Sequence, residues 1–163
     1  MTMNVTRLIP CLSIAAVLVA LTMPALAGGT ARSEDRITYL NGDITRAAFE
    51  KGKPLIETAA YKVHASRRDA AGIAEIHALD TDIIYVLDGT ATIVTGGTAV
   101  AAKEVAPNEI RGSMLLGGSA QHLAKGDVFI VPNGVPHWFK DVQGPFLYYV
   151  VKTTSLKPAG GAQ

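Results

Sequence analysis

The chain has 163 residues, with 15 Lys/Arg against 14 Asp/Glu and a single cysteine. A chain of this length holds one domain with a proper core and is too short for two once a targeting segment is set aside. Its neutral balance, with no basic cluster, argues against nucleic acid as the main partner, because phosphate binding is dominated by Lys and Arg.

Residues 1–27 read as a secretory signal peptide. Arg7 supplies the positive start, residues 8–21 are an apolar stretch interrupted only by Pro10 and Ser13, and Ala25-Leu26-Ala27 is a small-x-small cleavage site. The apolar stretch falls short of the ~20 residues a spanning helix needs, so cleavage after Ala27 is expected, with export to the periplasm or the medium and no membrane attachment afterwards. Removal takes Arg7 and Cys11 with it, which leaves 14 basic against 14 acidic side chains and no thiol. A disulfide, a Cys-zinc site and a Cys nucleophile are thereby excluded from the mature chain.

Residues 28–36 are small, polar and charged and read as a flexible linker. Residues 37–40 suit a short strand. Asn41-Gly42-Asp43 can cap a helix over 44–51 that carries Ile44, Ala47 and Ala48 on one side, with Gly52 as its stop and Pro54 preventing continuation. From Leu55 the period becomes two: Tyr61, Val63 and Ala65 share one strand face, and Lys62, His64 and Ser66 share the other. A strand over 73–77 follows a turn at 67–72. Residues 83–87, apolar on both faces, suit a strand covered on both sides, and Asp88-Gly89 then reads as a hairpin turn into a strand over 90–95. Short strands are expected at 100–102, 114–116, 120–124, 128–131, from His137, and at 146–152, separated by Gly- and Pro-rich loops; the tail 153–163 reads as disordered. Many short strands with one helix predict an all-β sandwich or barrel.

The chemistry concentrates in residues 72–89. Strand parity places Glu75 and His77 on the same face, opposite Ala74 and Ile76, and Asp82 follows before the apolar run. Downstream, Gly126, Pro132-Asn133-Gly134 and His137 stand at regular spacing, with Asp141 beyond. These two stretches resemble the paired conserved motifs of the cupin family. Glu75-Ile76-His77 stands where that family has two histidines one residue apart, Asp82 stands at its glutamate position, Gly89 closes the first motif, and Asp141 replaces an asparagine in the second. The resemblance spans about residues 55–152 and implies a cupin domain over 37–152, a double-stranded β-helix (jelly-roll barrel) with both motifs at its mouth.

Carried over position by position, the resemblance nominates Glu75, His77, Asp82 and His137 as ligands of one divalent metal, with Mn, Fe and Zn all compatible with such a set. His64 and Arg111 are candidates for lining a substrate pocket, Arg111 as a partner for a substrate carboxylate. His122 reads as a surface or sheet-packing histidine, and Trp138, of opposite parity to His137, as packing between sheets. The family includes dioxygenases, isomerases and decarboxylases, and the sequence does not choose among them; no catalytic residue is assigned. The competing expectation is a non-catalytic binding module for a small ligand without metal, in which Glu75 pairs with His77 or with Arg67, Arg68 or Arg111. A homodimer is expected from the family's habit of pairing through sheet edges. Phosphate-loop, dinucleotide-fold and serine-elbow motifs are absent.

Overall fold

The computed structural model describes residues 36–156. The expected leader and cleavage site, most of the expected linker and the end of the expected tail lie outside the described residues. Helix α1 (Gly42–Lys51) starts where the Asn41 side chain accepts hydrogen bonds from the backbone N–H groups of Asp43 and Ile44, and ends at Gly52, whose φ of 60° is left-handed. The rest is strand: β1 (Lys53–Glu57), β2 (Tyr61–Arg68), β3 (Ala74–His77), β4 (Asp80–Thr95), β5 (Thr98–Ala99), β6 (Lys103–Ala106), β7 (Glu109–Gly112), β8 (Leu115–Leu116), β9 (Ser119–Leu123), β10 (Val128–Val131) and β11 (His137–Thr154).

The two longest strands set the topology. β4 and β11 pair antiparallel along nearly their whole lengths, from Thr154 opposite Asp80 to His137 opposite Thr95, with register shifts between Phe139 and Tyr148. The first half of β4 and the second half of β11 carry β10, β2 and β1 as neighbours; the other halves carry β9, β3, β7 and β6. One antiparallel sheet thus curls onto itself as an all-β jelly-roll.

Buried side chains trace the bend. On β4 the buried positions are Asp80, Asp82, Ile84 and Val86 before Gly89, then Ala91 and Ile93 after it, with Val94 buried in a separate small cluster. On β11 they are His137 and Phe139 before the bend and Phe146, Tyr148 and Val150 after it. Each strand therefore switches parity where it bends, which keeps the same concave face inward. Phe139, Phe146 and Tyr148 meet across that face with ring centroids 5.1 to 5.7 Å apart, at the centre of a core completed by Ile84, Val86, Ile93, Leu123 and Val131.

Five expectations from the sequence change. Asp88-Gly89 is not a hairpin turn: the chain runs on through it within β4, and Gly89 uses its φ of 76° for the bend. The run 83–87 is covered on one side only, since Tyr85 is 46% exposed while Ile84 and Val86 are buried. Residues 37–40 form no strand, and 100–102 lie in and after a turn in which Ala101 has φ 52°. β11 continues to Thr154, two residues into the expected tail. The expected strand at 128–131 is β10.

Gly89 also offers a test of the bend. A Cβ there would lie 2.5 Å from the Pro145 carbonyl oxygen, whereas Gly96, with the same φ of 76°, has open space around it. Gly96→Ala should cost about 1 kcal/mol in urea denaturation from backbone strain alone, and Gly89→Ala about 2–4 kcal/mol because overlap with fixed backbone is added. Equal losses at the two positions would show that the close approach at the bend carries no weight.

Candidate metal centre

The concave face gathers side chains from β2, β3, β4, β7 and β11 around one cavity of about 290 Å³. Backbone register does the gathering: Glu75 sits opposite both His137 and Arg111, His77 opposite Glu109, and Asp82 opposite Lys152. All of the residues proposed from the sequence reach the cavity, namely Glu75, His77, Asp82, His137, His64 and Arg111.

The two imidazoles are oriented from behind. His77 Nδ1 is 2.7 Å from Glu109 Oε2; a carboxylate only accepts, so Nδ1 donates and Nε2 is turned toward the cavity. Arg111 Nε, 3.1 Å from Glu109 Oε1, steadies that carboxylate in turn. His137 Nδ1 donates to the Val135 carbonyl at 3.2 Å, so its Nε2 also faces inward, 4.0 Å from Glu75 Oε2 and 3.9 Å from Asp82 Oδ2. Fixing one ring nitrogen with an acceptor is how metal-binding histidines are held. One donor atom from each of Glu75, His77 and His137 lies within 4.8 Å of the others. Ligands sharing an ion at about 2.0–2.2 Å stand roughly 3–4.4 Å apart, so small side-chain adjustments bring the three onto one ion.

Asp82 is differently placed. Its Oδ2 is 3.5 Å from His77 Nε2, but both of its oxygens accept from Lys152 Nζ, at 2.6 and 2.7 Å. Glu75 is looser: its Oε2 is 3.8 Å from Arg68 Nη2, and Arg68 spends its Nε on the Tyr148 hydroxyl (3.0 Å) while stacking on Phe139. His64 lines the rim, and its Nε2 is 3.0 Å from Glu57. Trp138 donates from Nε1 to the Gly72 carbonyl and packs on the small cluster of Ala74, Val94 and Leu115, as its parity predicts. His122 is exposed on β9. Arg68, one of the partners considered for Glu75, is the arginine that approaches it; Lys152, Glu109 and Tyr148 are the site residues that the sequence did not assign to the site. Lys152 and Tyr148 share a strand face in the 146–152 run, a period-two signal that was available; Glu109 lay in a stretch without period.

Charges in the cavity are strongly coupled. Burial would lower the pKa of His77, but its contacts with Asp82 and Glu109 outweigh this and hold it up at about 9. Burial would raise that of Asp82, and the His77 contact and the Lys152 charge reverse this to about 2. Burial and then the neighbouring His77 charge push His137 down. Without metal, the pair is one protonated and one neutral imidazole. The neutral His137 therefore presents a bare Nε2 lone pair toward two carboxylates, an arrangement that a cation placed between them would satisfy.

The Cupin family model matches residues 32–159, and no curated protein matches the chain. Among solved structures, protein BH2720 from Bacillus halodurans is 15% identical with a TM-score of 0.53, covering 79% of this chain and 89% of its own. Protein NMB1881 from Neisseria meningitidis is 12% identical with a TM-score of 0.49, over 72% of this chain and 100% of its own. Hydroquinone 1,2-dioxygenase from Sphingomonas sp. TTNP3, solved with 4-hydroxybenzoate bound, is 15% identical with a TM-score of 0.49, over 66% of this chain and 67% of its own. At such identities the likeness is one of fold.

The titration of His77 sets a stability profile for the metal-free protein. Its folded-state pKa, about 9, lies above the ordinary 6.5, so its contribution is complete below about pH 6.5 and is lost as pH rises through 9, a fall on the order of 3 kcal/mol. Urea midpoints of chelator-treated protein should drop between pH 6.5 and 9.5, and His77→Gln should flatten that drop; an equal drop in the variant would assign it elsewhere.

Proposed function

The chain belongs to the cupin family, and from that premise we propose that it is an exported small protein that holds one divalent metal ion on Glu75, His77 and His137 and acts there on a small polar substrate. The observation that carries the reading is the inward-facing Nε2 of His137, its tautomer fixed by the Val135 carbonyl and its lone pair directed at carboxylates rather than at a donor. Two imidazoles and a carboxylate suit Mn, Fe or Zn. When bound, such an ion would polarise an oxygen-bearing substrate or activate O₂.

The chain's own residues supply the rest. Glu109 and Val135 keep both imidazoles oriented, Phe139, Ile84 and Val150 give the cavity an apolar floor, and Arg111, 48% exposed by side chain, stands at its mouth where a substrate carboxylate would meet it. The carboxylate oxygen of Glu75 not engaged by the ion would be the one to take up a substrate proton. Dioxygenase, isomerase and decarboxylase chemistries all fit this furniture. Export rests on the leader pattern of residues 1–27. A homodimer would suit β10, which pairs with β4 alone among the described strands and exposes Val128 and Ile130.

One observation favours a second reading, a metal-free binding module. Protonated His77 bridges Glu109 and Asp82, and Lys152 completes Asp82, so this half of the site is satisfied without an ion.

Metal analysis separates the two. Protein recovered from the exported fraction, with an N-terminus at Gly28, should carry close to one equivalent of Mn, Fe or Zn, and His137→Ala should lower its affinity at least tenfold. No binding after loading with each ion would leave the binding module.

Because His77 must give up a proton to ligate, calorimetry in buffers of different ionisation enthalpy should show about one proton released per ion at pH 7, with apparent affinity rising about tenfold per pH unit below 9. Binding without proton release would place the ion away from His77.

A further inference from the structure

We propose that Lys152 withholds Asp82 from the metal, so that the ion is held by Glu75, His77 and His137 alone and carries one anionic protein ligand instead of two. This inference rests on the metal-binding reading. Lys152 and Asp82 are backbone partners on adjacent strands, which sets their side chains on the same inner face. The ammonium donates to both carboxylate oxygens, at 2.6 and 2.7 Å, and the two side chains are only 13% and 7% exposed.

Among the described residues Lys152 Nζ hydrogen-bonds Asp82 alone. The next carboxylate along β4, Asp80, has Oδ2 on Lys62 Nζ and Oδ1 on Thr154 Oγ1, both at 2.6 Å. If Asp82 turned to the ion, Lys152 would either lose its acceptor inside the cavity or remain beside a divalent cation, and both are unfavourable. Asp82 Oδ2 lies 3.5 Å from His77 Nε2 and 3.9 Å from His137 Nε2, so it is the pair with Lys152, and not distance, that withholds it.

The arrangement has a chemical consequence. A divalent ion with Glu75 as its single carboxylate keeps one unit of positive charge, and positions that Asp82 would fill stay open. Such a centre selects an anionic oxygen ligand, a small carboxylate, able to occupy open positions on the ion while its charge is balanced there and by Arg111 at the mouth.

Chelator-competition titrations with Zn²⁺ on wild type, Lys152→Met, and the double variant Asp82→Asn/Lys152→Met test this. The double variant removes the ion pair without a net change in charge, and its Zn²⁺ affinity should stay within about threefold of wild type. Lys152→Met alone frees a carboxylate beside the ion and should tighten binding at least tenfold. A tenfold or greater loss in the double variant, or a weakening in Lys152→Met, would make Asp82 a ligand that Lys152 merely orients, and would overturn the proposal while leaving the metal reading intact. A wild-type chain that binds no ion would sink both.

A variant-free measurement stands behind these. In wild-type protein labelled with ¹³C at Asp and Glu carboxyls and loaded with Co²⁺, the Glu75 resonance should carry a contact shift and that of Asp82 should not; a contact shift on Asp82 would overturn the proposal even if the variants fail to fold. Succinate added to the Co²⁺ protein should change its visible spectrum and neutral butanediol should not; the opposite preference would overturn the assignment of an anionic ligand.

Discussion

The pairing of β4 with β11 is the constraint on which the site depends. β4 supplies Asp82 and Ile84 from the arm before Gly89, and β11 supplies cavity residues from both sides of its bend, His137 and Phe139 on one arm and Tyr148, Val150 and Lys152 on the other. Had either strand ended in a turn at that level, as Asp88-Gly89 suggests in isolation, His137 and Lys152 could not face the same space. The left-handed φ at Gly89 and the close approach of Pro145 and Phe146 to it are thus local geometry with a distant effect. Three aromatic rings, Phe139, Phe146 and Tyr148, fill the angle of the bend, and Phe139 and Tyr148 also line the cavity with Ile84 and Val150, so the hydrophobic core and the cavity share side chains.

Above that floor the cavity is a balance of charge. Glu75, Asp82 and Glu109 face Arg68, Arg111 and Lys152, with His77 adding a proton at neutral pH. Pairs this little exposed hold together only where each partner keeps its hydrogen bonds, and most do: Lys152 with Asp82, Arg111 with Glu109, Arg68 with Tyr148. Such pairing confines the remaining polarity of the site to a few atoms, His137 Nε2 and the oxygens of Glu75, which is where new chemistry has room to act.

Period-two patterning points to the fold class, and the resemblance to the cupin motifs nominates Glu75, His77, Asp82 and His137, all of which line the one cavity. The sequence misleads where the outcome depends on tertiary pairing. Positive φ at an Asp-Gly pair serves a bend as readily as a turn, and only the partner strand decides which. Lys152 escaped notice for the same reason, because its meaning lies in being opposite Asp82, seventy residues earlier, a relation fixed by register and invisible to local composition. Glu109 sits in a segment whose short strands, β6 and β7, carry no hydrophobic period long enough to read.

Glu75 was the residue on which the sequence left most open, since it stands where the family has a histidine. An arginine capturing it would have spoken for a lost metal site. Arg68 Nη2 makes an ion pair with Glu75 at 3.8 Å, too long for a hydrogen bond, while its Nε is on the Tyr148 hydroxyl and its guanidinium lies over the face of Phe139. Among the described residues Glu75 accepts no hydrogen bond, and its Oε2 points with His137 Nε2 into the cavity. Two acceptors 4.0 Å apart repel unless something positive lies between them. Replacing histidine by glutamate at this position therefore keeps a donor atom directed at the centre and adds a negative charge to it, and with Asp82 neutralised by Lys152 that charge is the one the protein presents to an ion.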